Sequence, residues 1–321
     1  MAVYTDPTDD ELAMLLAGWG LSAPLTFKGI AEGVQNSNFL LETAQGRFIM
    51  TIYEKSVALN DLPFYLGATQ QAAANGLPAA RPVETKGGQS IQTIRAKPCA
   101  LCTFLPGISA KRPNVSQVRA VGAALAQLHL ALADFPLERA NSLGPNDWPR
   151  MWNGRAGDAE ALEPGSAAAI VGDLAAIATD WPKHLPKGTI HADLFPDNVL
   201  YVGDAVSGLI DFYFACTDFL AYDIAVMLNA WCFEPNGREF DITKGRALLS
   251  AYQAVRPLEP SECAALPLLA RGAALRFFLT RLEDWTTDMD GALVKKKDPR
   301  DYSSRLAFHR NVVSAADYGL D

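Results

Sequence analysis

The sequence predicts an α+β protein of two lobes, a small β-rich one over residues 1–105 and a large, mainly helical one over residues 106–321. Three observations lead there. The chain has 321 residues, beyond the ~250–300 at which a single hydrophobic core stops growing, so it should divide. β-forming residues and short turns run from Thr26 to Leu105, interrupted by one helical segment and closed by Pro106-Gly107. Beyond that point the apolar spacing becomes helical, most clearly where Val118, Val121, Leu125, Leu128 and Leu132 recur every third or fourth position.

The elements follow in order. Thr8-Asp9-Asp10-Glu11 has the spacing of a capping box and opens a helix to Trp19, which Gly20 ends. Asn38–Thr43 and Arg47–Tyr53 flank Ala44-Gln45-Gly46 and read as a hairpin. Leu62–Asn75 reads as a helix stopped by Gly76 and Pro78. A second hairpin is expected to turn at Lys86-Gly87-Gly88, followed by a buried strand over Pro98–Leu105 that joins the lobes. Val115–Ala133 is the first long helix of the large lobe. One later stretch breaks the helical pattern: Val199–Val202 and Gly208–Ile210 are short apolar strands around Gly203-Asp204.

Charge narrows the partners. Lys and Arg number 28 against 36 Asp and Glu, a net −8, and the only basic triplet is Lys295-Lys296-Lys297. No basic groove for nucleic acid or anionic lipid is expected from that balance. The longest uncharged stretches, Leu12–Phe27 and Ala120–Ala133, fall short of the ~18 residues that span a bilayer. The acidic start is unlike a secretory signal. Five cysteines without a framework spacing fit a reducing compartment. The expectation is a cytoplasmic protein that needs neither membrane nor obligatory protein partner.

Chemistry concentrates around the late hairpin. Asp193 and Asn198 precede it, five positions apart, and Asp211 leaves it thirteen positions after Asn198. Three oxygen-bearing side chains are thereby brought to one end of a small rigid element. Phosphoryl transfer from ATP needs such a set. Mg²⁺ prefers hard oxygen ligands, here Asn198 and Asp211, while a separate carboxylate, Asp193, orients the attacking hydroxyl and accepts its proton. His191 reads as structural, its ring bonding backbone. Asp197 reads as a turn residue, His129 as a packed histidine, and Asp223 as a cap of the next helix that also braces the loop.

This order of acceptor Asp, then Asn, then Asp-Phe resembles the pattern of kinase-fold enzymes. His191-Ala-Asp-Leu-Phe-Pro-Asp-Asn198, Leu275-Arg-Phe-Phe-Leu-Thr-Arg-Leu-Glu-Asp284 and Lys297-Asp298-Pro299 are similar to the aminoglycoside phosphotransferase and choline kinase superfamily. Their finer wording resembles type II homoserine kinases. The resemblance covers nearly the whole chain and implies a protein-kinase-like bilobal fold, ATP and Mg²⁺, and phosphorylation of the L-homoserine hydroxyl on the way to threonine. Another small hydroxylated acceptor, or a nucleotide-binding scaffold without activity, are the alternatives.

The nucleotide side departs from the protein-kinase rule. Thr51 stands where a strand Lys is expected, and the helix Leu62–Asn75 offers Gln70 and Gln71 but no Glu. The two departures agree, since one ion alone would be a buried charge without a partner. Gly33, Asn36 and Ser37 are the expected phosphate-covering turn, with Lys28 or Lys55 assisting. The family's hinge implies adenine on the backbone of Thr103 and Leu105.

The acceptor must be small. Ile224 follows Asp211 by only thirteen positions, too few for the segment on which a protein kinase lays its peptide. An amino-acid acceptor needs a cation for its carboxylate. Arg276 and Arg281 on the C-terminal helix, with Arg139, Asn141 and Tyr213, are the candidates. Arg276 and Arg281 lie about 140° apart around a helix, so one of the two should face the site. Trp148, Trp152, Trp231 and Trp285 would instead suit a choline-like cation.

Overall fold

A computed structural model describes residues 5–30, 36–54, 59–234, 237–287 and 296–320. Its contacts divide the chain into two compact units. The first takes the chain through Pro106 together with Gly208–Tyr213, and the second takes Gly107–Ser207, Phe214–Met289 and the C-terminal stretch. A single cut near residue 106 was expected. The return of Gly208–Tyr213 carries Asp211 into the first unit.

The first unit opens with helix α1 (Asp9–Gly18), whose capping box between Thr8 and Glu11 is formed. Strands β1 (Thr26–Gly29), β2 (Asn36–Thr43) and β3 (Gly46–Tyr53) precede helix α2 (Leu62–Ala74), and β4 (Ile91–Ile94) and β5 (Lys97–Thr103) follow it. The five strands form an antiparallel sheet in the order β1-β2-β3-β5-β4. Leu12, Leu15, Leu16 and Trp19 of α1 pack with Phe39, Met50, Ile52 and Leu101 of the sheet. Alternation along β3 then gives Thr51 and Tyr53 to the opposite face. Lys86-Gly87-Gly88 does form a turn, closed by the Gly88 N–H to the Thr85 carbonyl at 2.9 Å and the Thr85 N–H to the Gln89 carbonyl at 2.8 Å, but the strand ladder does not turn there. The ladder turns at Arg95-Ala96, where both residues take left-handed φ (46° and 62°). Arg95 is held there by Glu11, which it meets at 2.6 Å, and by the Asp6 carbonyl.

The second unit is mostly helix. In chain order it contains β6 (Ile108–Ser109), α3 (Val115–Ala131), α4 (Trp148–Trp152), α5 (Ala156–Leu162), α6 (Ser166–Asp180), β7 (Lys187–Ile190), β8 (Val199–Val202) and β9 (Ala205–Leu209). There follow β10 (Cys216–Phe219), α7 (Leu220–Trp231), α8 (Ile242–Val255), α9 (Pro260–Thr286) and α10 (Arg300–His309). The last two residues of β9 fall in the first unit. The predicted β8–β9 hairpin turns at Gly203, φ +63°. Gly122 lets α3 and α8 cross closely, because a Cβ there would lie 2.5 Å from the Leu248 carbonyl oxygen. Helix α9 has the length and apolarity of a membrane-crossing helix, but it packs against α7 and α10 as the unit's central helix.

Candidate functional site

Two short strands absent from the sequence reading frame the loop that carries Asp193. β7 and β10 pair antiparallel, with Ile190 opposite Cys216. The chain leaves β7 at His191 and at once adopts a left-handed conformation at Ala192, φ +61°. A non-glycine residue held so costs about 1–3 kcal/mol, and persists only where its surroundings over-determine it. Here they do. Asp223, fully buried, accepts from the backbone N–H of His191 at 2.7 Å and of Ala192 at 2.8 Å, and meets His129 Nε2 at 3.2 Å. Arg276 donates to the Ala192 carbonyl oxygen. Trp231 Nε1 donates to the Leu194 carbonyl at 2.7 Å.

Burial alone would raise the pKa of Asp223. The His129 bond, the charges of His129 and His191 and the backbone donor outweigh it, and the carboxyl is held below its usual value. Asp223 lies in the first turn of α7 and is not its cap, which is Phe219. The bracing role expected of it is the one its contacts describe. His191 accepts from the Asp193 N–H through Nδ1 at 3.3 Å, and His129 bonds Tyr252 at 2.7 Å within the core.

Asp193 and Asn198 are brought together. Asn198 Nδ2 donates to the Asp193 carbonyl at 2.8 Å and to its carboxylate at 3.3 Å. With both amide protons turned to Asp193, the Asn198 Oδ1 is left as the acceptor end, the one a cation requires. Asp197 is exposed and pairs with Lys297 at 3.4 Å. Asp211 is exposed and also left-handed, φ +65°, and buried Phe212 anchors it in the first unit. The Asn198 amide oxygen and the Asp211 carboxylate are each hard oxygen donors, the kind a magnesium ion prefers.

Several other candidates are committed elsewhere. Asn36 and Ser37 belong to β2 instead of a turn. The Ser37 hydroxyl donates to Glu54 at 2.6 Å and accepts from Thr5, in a cluster completed by Lys97, and the Asn36 side-chain oxygen accepts from the Glu54 N–H. The Ser37 hydroxyl is thereby engaged within the first unit, while the Asn36 bond uses only its acceptor oxygen. Gly33 and Lys55 lie outside the described residues. The Thr103 N–H is bonded to the Arg81 carbonyl at 2.9 Å, which leaves only its carbonyl and Leu105 for a base. Thr51 is buried and donates to Asn38 Oδ1 at 2.8 Å. Tyr213 packs edge-on to Tyr53 (5.8 Å between centroids) and Tyr65 (5.9 Å), so it serves the small unit's core instead of an acceptor.

The basic candidates are also held. Arg139 donates to the Ala215 carbonyl at 3.1 Å, and Asn141 to Asp218 at 2.8 Å, bracing β10. Arg276 is 2% exposed beneath the Asp193 loop, its guanidinium 4.5 Å from the centre of the Phe277 ring. Arg281 donates to the Asp298 carbonyl and to Asp301, over the Tyr302 ring. Trp148 and Trp231 are buried, whereas Trp285 is 36% exposed. The sequence reading missed Arg305 and Tyr302, three apart on α10 and therefore on one helical face. Arg305 lies 4.3 Å from the Tyr302 ring centre and 5.2 Å from that of Phe233.

Residues 26–258 match the model of the family described as Phosphotransferase enzyme family. The chain is 57% identical over 319 residues to a homoserine kinase of Phenylobacterium zucineum, covering 99% of this chain and 98% of that one. It is 53% identical over 320 residues to a homoserine kinase of Xanthobacter autotrophicus, covering 100% and 99%. Among solved structures it resembles a microcompartment-associated aminopropanol kinase, at TM-score 0.70 and 16% identity over 97% of this chain and 98% of that one. It also resembles an amicoumacin kinase in complex with AMP-PNP, at TM-score 0.66 and 15% identity over 94% and 92%. These likenesses show the kinase-like fold that the catalytic pattern implied.

Proposed function

The chain belongs to the Phosphotransferase enzyme family and, within it, to the homoserine kinases, and from that premise we propose that it transfers the γ-phosphoryl group of ATP to the side-chain hydroxyl of L-homoserine, giving O-phospho-L-homoserine for threonine synthesis. The observation that carries this reading is identity above 50% along the full length of chains named for that activity. The alternatives, choline, an aminoglycoside or a scaffold without activity, have no comparable support.

Asp193 takes the role of hydroxyl acceptor. The Asp223 clamp and the Arg276 bond to Ala192 hold its loop in one conformation, and such pre-positioning is how a kinase lowers its barrier. Asn198 and Asp211 would hold Mg²⁺, which when bound would neutralise charge on the transferring phosphate. The carbonyl of Thr103 and the backbone of Leu105 are the groups offered to adenine. All five cysteines are free thiols, which supports a cytoplasmic setting. The test is a panel of L-homoserine, choline and aminoglycosides with Mg-ATP, read by phosphorylated product. Faster turnover of choline or an aminoglycoside than of homoserine would sink the substrate assignment.

A further inference from the structure

The described residues of the second unit contain several inward-facing cations, and their partners separate one from the rest. Arg271 and Arg310 share the fully buried Asp173, each at 2.6 Å. Arg276 gives Nη1 to the Ala192 carbonyl, although its Nε is also buried without a partner, and Arg281 has Asp298 and Asp301. Arg305 is different. Its Nε and Nη1 are buried and have no hydrogen-bond partner, and among the described residues no carboxylate pairs with it. Two aromatic faces, Tyr302 and Phe233, are its neighbours. The Tyr302 hydroxyl, on a fully buried residue, is likewise without a partner by distance and angle.

Guanidinium nitrogens desolvated without an anion are unfavourable, and folded proteins tolerate them where a ligand completes the pair. The fork offers only N–H donors and the phenol adds an O–H donor, an arrangement that fits a carboxylate. Arg305 as a residue is only partly buried, so a small solute can reach it. The position is also right for an acceptor molecule. Tyr302 packs on Phe277 (5.3 Å), which packs on Phe195 (4.9 Å), two residues beyond Asp193. Burial raises the Tyr302 pKa, and the Asp193 carboxylate adds to the rise, so the two groups share one neighbourhood.

We propose that Arg305, assisted by the Tyr302 hydroxyl, binds the α-carboxylate of the amino-acid acceptor and thereby sets the enzyme's preference for amino acids over plain amino alcohols. The proposal rests on the homoserine reading above. It also explains why the predicted arginines are unavailable, since Arg139, Arg276 and Arg281 serve backbone carbonyls and a neighbouring carboxylate.

The experiment compares wild type with Arg305→Gln on L-homoserine and on 3-aminopropan-1-ol, the same acceptor without its carboxylate, and records melting of both ligand-free proteins. In the variant, kcat/KM on homoserine falls by about 10²–10³-fold, mainly through KM. On the amino alcohol it falls by at most about tenfold, so the preference between the two collapses. The ligand-free variant melts no lower than wild type, because an uncompensated charge has been removed. Arg305→Lys keeps the charge but not the fork, and recovers only part of the homoserine KM. Equal losses on both acceptors, or a lower melting temperature with an intact homoserine KM, would overturn the assignment and make Arg305 a structural residue. A wild-type enzyme inert on homoserine but active on another acceptor would overturn the functional reading and this assignment together.

Discussion

Asp223→Asn tests how the reactive loop is held, and its outcome can be worked out atom by atom. One Asp223 oxygen accepts from the His191 N–H and meets His129, and the other accepts from the Ala192 N–H. An asparagine of the same shape has one oxygen and one amide nitrogen. With the nitrogen toward His191, two donors face each other, and His129 must also switch tautomer. With the nitrogen toward Ala192, the clash moves there. Either orientation leaves one buried loop N–H without an acceptor, at about 1–3 kcal/mol, and removes a charge-assisted bond as well. A total near 2–3 kcal/mol lowers Tm by roughly 3–5 °C in a chain of 321 residues. Relaxation of the left-handed Ala192 also shifts Asp193, and a displacement of about 1 Å reduces kcat by around 10²-fold with little change in the KM for ATP. Thermal melts and steady-state kinetics on one preparation read both effects. Because the carboxyl is held below the 3.8 of a free aspartate, the stability it supplies is present above that value and lost as pH falls toward the depressed one. Unchanged Tm and kcat would refute the clamp, and a lowered Tm with full kcat would show that Asp223 does not position Asp193.

Other outcomes follow from the same structure. Asp193→Asn should lower kcat by about 10²–10⁴-fold with little effect on ATP affinity, whereas Asp211→Asn should weaken Mg-ATP binding as well as turnover; identical phenotypes would contradict the division of roles. His309, bonded to Tyr318 and Asn229, is pushed down to about 3 by burial and by the charges of Arg305 and Arg271. Between about 3 and the unperturbed 6.5 the unfolded chain therefore binds a proton that the fold does not, so stability rises with pH by up to ~1.4 kcal/mol per unit from this residue. Denaturant titrations of His309→Gln at pH 5, 6 and 7 should show a shallower slope than wild type, and parallel curves would refute the neutral assignment. Thr51→Lys would bury an ammonium beside Asn38 with no carboxylate to receive it, so its ligand-free Tm should drop, recover in part with Mg-ATP, and bring no gain in kcat; a more active variant would reopen how the phosphates are held.

Local chemistry was legible where a residue's role is decided by its sequence neighbours. The Thr8 capping box, the Gly203 turn and the order of Asp193, Asn198 and Asp211 are of that kind. Arg95-Ala96 was not, because neither residue favours positive φ, and what holds the turn is Glu11, distant in sequence. β7 and β10 are four-residue strands, too short for alternation to register, yet they fix where the Asp193 loop begins. The arginines failed for a related reason. Helical spacing tells which residues share a face, but not that Arg276 meets the Ala192 carbonyl or Arg281 the Asp298 carbonyl. Arg305 sits on a short helix with an ordinary charge pattern, and what distinguishes it is that two of its buried nitrogens lack a hydrogen-bond partner.

The departure from the kinase ion pair now has a physical counterpart. In the first unit the hydroxyls of Tyr213, Tyr53 and Thr51 lie together, Asn38 accepts from Thr51, and Tyr65 of α2 packs against Tyr213. β3, α2 and the segment bearing Asp211 are thus joined by neutral phenols, a hydroxyl and an amide. Such a junction leaves no buried charge waiting for nucleotide, and salt screens it little, since no ion pair is involved. The first unit is therefore satisfied at this point without its ligand. The second unit is not, because Arg305 keeps an unmatched charge that only an anion can complete. Ligand-dependent stabilisation should accordingly be divided unevenly, with the carboxylate-bearing acceptor contributing through Arg305 a share that the Thr51 junction, already neutral, does not ask of ATP.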